Sequence, residues 1–254
     1  MPGSMLGDNL TILGTLATVC TGLATGVGAL PILFVRQISD RFLDAMLGFA
    51  AGVMLAATAF SLIVPAIELG GVWITVAGIL IGAVFLSLLD RFLPHEHPVM
   101  GHEGPASALR RVWLLIIAIT LHNFPEGLAV GVSYGSGDIP TATSLAIAIG
   151  LQNMPEGLAV ALPLLREKYS KGKALWYALF SGLVEPIAGV FGVLAVQVAR
   201  PLLPLGLAFA AGAMLYVISD EIIPETHRKG YEREGTWGVM IGFVVMMLLD
   251  NLFG

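Results

Sequence analysis

Two related stretches of sequence determine the fold: residues 122–130 read HNFPEGLAV, and residues 152–160 read QNMPEGLAV. Seven of the nine positions are identical between the two stretches. Each stretch lies inside an apolar segment of the length that crosses a membrane, about 20 residues. A glutamate in the middle of such a segment is unfavourable unless it has a partner, so the repeat indicates a functional site as well as a fold.

The composition of the whole chain is typical of a membrane protein. Its 254 residues are 56% hydrophobic and only 12% charged, with a mean hydropathy of +0.86, whereas soluble domains have about 25% charged residues. The net charge of −5 provides no basic surface for phosphates, which excludes nucleic-acid binding. The single cysteine, Cys20, cannot form an internal disulfide.

Short charged or Gly/Pro-rich breaks divide the chain into eight predicted spans within a single transmembrane transport domain, residues 1–254. The chain is therefore predicted to be an all-α polytopic membrane protein surrounded by a lipid bilayer. The predicted spans cover about residues 10–35, 43–67, 72–93, 112–134, 141–165, 174–199, 201–224 and 236–253.

The basic residues set the orientation, because cytoplasmic loops hold most lysines and arginines. Of the 13 basic residues, 12 lie in the odd-numbered loops, and only Arg200 lies elsewhere. The odd-numbered loops are therefore predicted to be cytoplasmic. Both termini are predicted to lie outside the cytoplasm, in a multi-pass protein of the cell (plasma or inner) membrane.

A second repeat links spans two and seven, where residues 49–55 read FAAGVML and residues 209–215 read FAAGAML. In the predicted orientation both repeats join spans of opposite direction, which indicates an inverted three-two-three bundle: spans 1–3 (10–93), spans 4–5 (112–165) and spans 6–8 (174–253). Transporters use such repeats around a midplane site. Small residues also recur in helix bundles for packing alone, which is the alternative for the second repeat.

Three glutamates, Glu126, Glu156 and Glu185, lie near the middle of spans four, five and six. Each charge at that depth costs about 2.5–3.5 kcal/mol on insertion scales. No lysine or arginine lies at a similar depth, so protons or bound cations must neutralise the carboxylates.

The polar neighbours favour cations. His122 lies one helical turn before Glu126 and shares its face, and Gln152 and Glu156 are related in the same way. Both pairs can therefore point at one centre. An imidazole among oxygen ligands admits zinc, iron, manganese, cobalt or nickel, whereas calcium and magnesium prefer oxygen alone.

Asn123 and Asn153 lie about 100° around their helices and offer carbonyl oxygens to an adjacent second position. A proton relay would have no use for these neutral oxygens. Pro125 and Pro155 lack the amide hydrogen of a regular helix, so we expect broken turns that expose backbone oxygens at this depth. Met54, midway along span two, could supply a thioether ligand or simply fill the core.

The paired motifs, together with Glu185-Pro186 in span six, resemble the ZIP (Zrt/Irt-like) family of metal transporters, especially its prokaryotic branch with short loops. The resemblance covers nearly the whole chain. It implies eight spans with both ends outside, and transport of Zn²⁺ into the cytoplasm, with Cd²⁺, Fe²⁺ and Mn²⁺ as further candidates. It also implies an elevator-like movement of spans one, four, five and six, and it allows a homodimer.

The resemblance further implies two adjacent metal positions. An amide at Asn153, where some relatives have an acidic residue, should weaken the second position and leaves open whether one or two ions bind. The first position would use Met54, His122, Glu126, Gln152 and Glu156, and the second Asn123, Glu126, Asn153, Glu156 and Glu185.

Acidic residues near the ends of spans are candidates for the ion path. Glu68 and Asp250 could attract cations at the outer entrance, and Asp90, Asp220 and Glu221 could receive them at the inner exit. Each could equally be an ordinary solvated carboxylate. The third loop adds a cluster with the same two interpretations: His95, Glu96, His97 and His102.

Two other functions stay open at this point, although no enzymatic activity is expected. An intramembrane metalloprotease would need two histidines at i and i+4 on one helix, and span four has only His122. A proton-coupled carrier of another solute would use the glutamates to bind protons.

Overall fold

The computed structural model describes residues 2–34, 38–97, 101–103, 111–227 and 230–253, most of which are helical. Short 3₁₀ turns follow α1 and precede α8, and β1 (His95–His97) pairs antiparallel with β2 (Gly101–Glu103). The helices are α1 Pro2–Ala29, α2 Asp40–Ala57, α3 Val64–Phe92, α4 Arg111–Ser136, α5 Ile139–Arg166, α6 Lys171–Gly182, α7 Val184–Val198, α8 Leu203–Val217, α9 Ile223–Thr226 and α10 Glu232–Phe253.

Six helical stretches among the described residues are long and apolar enough to cross a membrane. One of them, Asp40–Phe92, has 53 residues and contains a break at Gly71, whose φ of 77° favours glycine. Large apolar side chains such as Trp73 and Leu80 face outward. These features confirm an all-α polytopic membrane protein, while the division into eight spans and the single-domain boundaries stay predictions.

Side chains cap helices at the ends of several connections. Ser39 accepts a hydrogen bond from the backbone N–H of Phe42 at the start of α2, and Ser170 accepts one from Lys173 at the start of α6. Such caps satisfy amide groups that have no partner within the helix. The helices therefore begin where the polar loops end.

Glycines pack the helices closely at matching places in the two halves of the chain. A Cβ at Gly52 of α2 would clash with the carbonyl oxygen of Val239 in α10, and a Cβ at Gly212 of α8 would clash with that of Ile79 in α3. The step in residue number from Gly52 to Gly212 equals the step from Ile79 to Val239. We call positions related by this step equivalent, and the same packing therefore occurs twice at equivalent positions.

The two halves run in opposite directions. Along α1 and the α6–α7 pair, Thr11 contacts Gln197 while Gly22 meets Gly182, so residue numbers rise in one segment as they fall in the other. Gly22 and Gly182 are themselves equivalent positions. The structure thus confirms the inverted relation that the repeats predict.

One expectation about helix continuity is wrong. Both α4 and α5 continue through Pro125 and Pro155, so the expected broken turns do not form. Each proline removes one backbone hydrogen bond, and close packing on the neighbouring helices keeps the rest of the helix intact. The span predicted over residues 174–199 is present as one apolar stretch, Lys171–Val198, with a single-residue turn at Leu183, two residues before Glu185.

Wide π-helical turns follow α2 and α8. They cover Thr58–Ile63 and Ile218–Ile222, and they begin at equivalent positions. Such turns are frequent at functional sites because they re-aim side chains within a helix.

Candidate metal site

The three glutamates predicted to lie in the membrane come together in the interior. Glu126 and Glu185 have no exposed surface, and Glu156 is 7% exposed. The charges of Glu156 and Glu185 act on Glu126, and the charge of Glu156 acts on Glu185. The structure therefore brings these carboxylates from α4, α5 and α7 into one cluster.

The glycine after each motif glutamate allows this approach. A Cβ at Gly127 would clash with the backbone of Glu185, and a Cβ at Gly157 would clash with the backbone of Thr25 in α1. Small residues let membrane helices approach at such crossings. The Pro-Glu-Gly motif thus places a carboxylate where two helices touch.

Amide side chains donate hydrogen bonds to the carboxylates. Gln152 Nε2 lies 2.7 Å from Glu126 Oε1, and Asn153 Nδ2 lies 2.7 Å from Glu185 Oε1. The same Asn153 nitrogen also donates to the backbone carbonyl of Thr21 at 2.9 Å. Each amide therefore uses its nitrogen and keeps its oxygen available.

Asn123 follows the same pattern, because its Nδ2 donates to the carbonyl of Ser181 at 3.0 Å. Buried polar atoms normally have partners, since leaving one unpaired costs about 1–3 kcal/mol. Six buried oxygens around the carboxylate cluster have no hydrogen-bond partner among the described residues. They are Oδ1 of Asn123 and Asn153, Oε1 of Gln152 and Glu156, and Oε2 of Glu126 and Glu185.

Six acceptor oxygens with no remaining donor are suited to a cation. Among the described residues, no three histidine, cysteine, aspartate or glutamate side chains form a metal-binding group by themselves. An ion held here would therefore also need the amide oxygens of Asn123, Gln152 and Asn153. Neutral oxygens and carboxylates bind divalent ions more weakly than thiolates bind zinc, which suits a site that must release its ion.

His122 lies beside this cluster but bonds elsewhere. Its Nε2 is 3.0 Å from Glu221 Oε2, on the second π-helical turn. Its charge also acts on Glu156, as does that of Glu221. The histidine thus connects the carboxylate cluster to the end of α8.

Met54 is completely buried in the apolar core, in a cluster that includes Ala129 of α4 and Ile149 of α5. This places it next to the helices that carry the motifs. Its role as a sulfur ligand stays a prediction.

The three residues predicted for release lie together with His95. Asp90 Oδ1 is 2.8 Å from His95 Nε2, and the charges of Asp90, Glu221 and His95 all act on Asp220. We call these four residues the exit cluster. Glu221 is 4% exposed and also bonds His122, so the exit cluster is continuous with the carboxylate cluster.

His95 is more than a solvated loop residue. It is fully buried at the start of β1, which packs on α4, and its Nδ1 lies 2.8 Å from the carbonyl of Leu93. Burial lowers the pKa of His95, but the hydrogen bonds to Asp90 and Leu93 and the charges of Asp90 and Glu221 outweigh it and raise the pKa. Of the other predicted loop residues, the side chains of Glu96, His97 and His102 lie outside the described part of the chain.

The two predicted entrance residues differ. Asp250 is half-buried and accepts a hydrogen bond from Ser61 Oγ at 2.7 Å, on the first π-helical turn. Glu68 is exposed and has no hydrogen bond or ion pair with any described residue. The structure therefore gives Asp250 a defined position and leaves Glu68 at the surface.

The sequence analysis missed a polar stripe on α1. Thr18, Thr21 and Thr25 are all buried, and the Thr21 hydroxyl donates a hydrogen bond to the backbone carbonyl of Thr18 at 3.1 Å. The Thr25 hydroxyl has no partner among the described residues. Their spacing of three and four residues in an otherwise apolar span is the signal that could have found them.

Comparison with known proteins agrees with the geometry. The family described as "ZIP Zinc transporter" matches residues 95–250. The chain is 45% identical over 251 residues to zinc transporter GufA of Myxococcus xanthus, covering 95% of this chain and 99% of that protein. It is 44% identical to zinc transporter ZIPB of Bordetella bronchiseptica (91% and 78% covered) and 39% identical to human zinc transporter ZIP11 (96% and 98% covered).

Proposed function

The chain belongs to the ZIP family of metal transporters, and on that basis we propose that it moves Zn²⁺ across the membrane into the cytoplasm. The relatives are named zinc transporters, which supports zinc as the cargo. Cd²⁺, Fe²⁺ and Mn²⁺ fit the same mixture of ligands and are further candidates. The cytoplasm lies on the side of the basic loops, and both termini lie outside.

The observation that carries this proposal is the set of six buried oxygens without partners around three glutamates. Cations bound at two adjacent positions would satisfy these oxygens and would neutralise the buried charge. The first ion position would use Met54, His122, Glu126, Gln152 and Glu156. The adjacent position would use Asn123, Glu126, Asn153, Glu156 and Glu185.

The exit cluster supplies a route for release toward the cytoplasm. Glu221 bonds the same His122 nitrogen that a bound ion needs, so the carboxylate competes with the ion for that histidine. An ion leaving His122 then meets Glu221, Asp220 and Asp90 in succession. On the other side, Asp250 and Glu68 would attract ions to the entrance.

Metal flux into proteoliposomes tests the proposal directly. Glu126→Ala and Glu156→Ala should abolish Zn²⁺ uptake, because each removes a carboxylate shared by both ion positions. Glu232→Ala, which removes an exposed carboxylate at the start of α10, should transport like the parent. Uptake by either motif variant at the parental rate would refute the site.

The same vesicles separate the alternatives. Proton-driven uptake of another solute in the absence of metal would favour the proton-coupled carrier. Cleavage of a peptide by the purified protein would favour the metalloprotease, for which the ZIP relatives give no support.

A further inference from the structure

A groove of about 650 Å³ opens between the first turns of α2 and α10, away from the carboxylate and exit clusters. Arg41, Arg233 and Glu234 form its rim. Its walls also include Phe49 of α2 and Ile241 of α10, which lie further along the two helices than the charged rim residues. The groove is thus charged at its mouth and apolar at its base.

The rim has more positive than negative charge. Arg41 forms an ion pair with Glu234, with Arg41 Nη2 2.8 Å from Glu234 Oε1. Arg233 is exposed and forms no ion pair with any described residue. Trp237 lies at the groove with 60% of its surface exposed. Tryptophan at this height is typical of the boundary between headgroups and acyl chains.

The inverted repeat provides an internal comparison. The equivalent positions in the other half lie between α8 and α3, where the base is the same: Phe209 replaces Phe49, and Ile81 replaces Ile241. The rim differs, because Pro201 and Trp73 stand where the groove has its two arginines. The apolar residues of the base therefore recur in the other half, whereas the two arginines occur once, on the side of the basic loops.

We propose that this groove binds one anionic phospholipid, with the headgroup phosphate at Arg41 and Arg233 and an acyl chain along Phe49, Trp237 and Ile241. One guanidinium group can donate two hydrogen bonds to the oxygens of a phosphate. Basic pockets between membrane helices bind anionic headgroups. A free phosphate would use only the rim, whereas a phospholipid also covers the exposed apolar wall. The lipid is therefore the occupant that matches both parts.

Quenching of Trp237 by brominated lipids tests this with the full chain in phosphatidylcholine bilayers. The signal of Trp237 is isolated by subtracting the emission of Trp237→Phe, and it does not depend on transport. Brominated phosphatidylglycerol should quench at a lower mole fraction than brominated phosphatidylcholine. Arg233→Gln should weaken that preference about fivefold, and the Arg41→Gln/Arg233→Gln pair should abolish it.

A matched pair, Lys168→Gln/Lys173→Gln, removes the same charge from another basic loop on the same side of the membrane and should keep the preference. An equal loss of the lipid preference in this control pair would indicate that the preference comes from general surface charge, and would overturn the proposed site. So would displacement by millimolar inorganic phosphate, or equal quenching by the two lipids. Quenching that falls as protein concentration rises would indicate that a second copy covers the groove, and would also overturn it.

Discussion

The two inverted halves of the molecule share their packing and differ in their chemistry. Helix crossings at Gly52 and Gly212 are equivalent, and the π-helical turns begin at equivalent positions. On those turns, however, Phe60 and Ser61 of one half correspond to Asp220 and Glu221 of the other. The residues shared by the two halves therefore determine the helix packing. We expect the direction of ion movement to depend on the few positions at which the two halves differ.

The divergence affects the ion path in a specific way. Phe60 packs edge-on against Phe243 with ring centroids 6.0 Å apart, so an aromatic contact stands at the first π-helical turn where the second has acidic side chains. At the inner end, Glu221 bonds His122, and Asp220 lies beside Asp90. Among the described residues, the carboxylate cluster thus connects through His122 and Glu221 to the exit cluster at the end of α8.

The largest effect should come from the glutamates of the two repeated motifs, Glu126 in α4 and Glu156 in α5. Glu126→Gln and Glu156→Gln keep the side-chain shape and remove the charge. Because substitution of residues that only support metal ligands already costs about 10–100-fold in affinity, each change should lower Zn²⁺ flux by about 100-fold or more. Proteoliposome uptake measures this.

The control is Asp138→Asn, which alters an exposed carboxylate at the start of α5 and should leave flux within about twofold of the parent, as for most surface changes. If only one glutamate variant loses transport, the two motifs do not contribute equally to the site.

The sequence predicted the parts of this site that depend on residues close together in the chain, and not those that depend on residues far apart in it. The i, i+4 relation of His122 and Glu126 and the repeat of the motif are local, so the sequence alone was enough to predict these side chains as ligands. The partners of the amide nitrogens, such as Ser181 and Thr21, are far away along the chain and depend on tertiary packing. The sequence could not reveal which nitrogens would be occupied.

Helix continuity shows the same limit. Proline chemistry predicts a lost hydrogen bond at Pro125, but the neighbouring glycine crossings decide whether the helix breaks there. At Pro186 the same chemistry coincides with a short turn at Leu183, because the proline cannot donate to the carbonyl of Gly182, where α6 ends. The bond between His122 and Glu221 depends on the π-helical turn, which no periodicity predicts.

Glu185 is the next test, because the equivalent position in the first half is Thr25. Glu185→Thr gives the two halves the same residue and removes the third carboxylate, while both motif glutamates remain. Flux should fall by about 10–30-fold, less than for Glu126→Gln, because only the second ion position loses a charged ligand. Calorimetry should show that the affinity for Zn²⁺ falls by a factor similar to the fall in flux.

Thr25→Ser is the matched variant in the other half and should change flux by less than about twofold. A loss for Glu185→Thr as large as that for Glu126→Gln would mean that the third carboxylate is shared by both ion positions.

A smaller effect is expected at the π-helical turns. Glu221→Gln removes the charge that competes for His122 Nε2, so the ion should bind at least as tightly and leave more slowly. Uptake should fall by about 5–10-fold while calorimetric affinity is kept or improves. This is less than the roughly 1.5–3 kcal/mol of a charged hydrogen bond, because the glutamine can still form a neutral hydrogen bond with His122.

Ser61→Ala, at the equivalent position, removes only the hydrogen bond to Asp250 and should lower uptake by about twofold. If Glu221→Gln weakens binding instead, Glu221 is a ligand of the resting site and the proposed competition is wrong.

The smallest effect on transport should come from the packing that the halves share. Gly52→Ala and Gly212→Ala each place a Cβ against a neighbouring carbonyl, which should destabilise the fold by about 1–3 kcal/mol through overpacking. Because the contacts are equivalent, the two variants should lose similar amounts, about 2–4 °C of melting temperature for each kcal/mol. Gly172→Ala, where a Cβ would meet open space in α6, should instead be neutral or stabilising by up to about 1 kcal/mol. Thermal denaturation in detergent compares all three variants. Unequal losses of melting temperature for Gly52→Ala and Gly212→Ala would show that the two halves differ in how well they accommodate an added Cβ, despite their matching contacts.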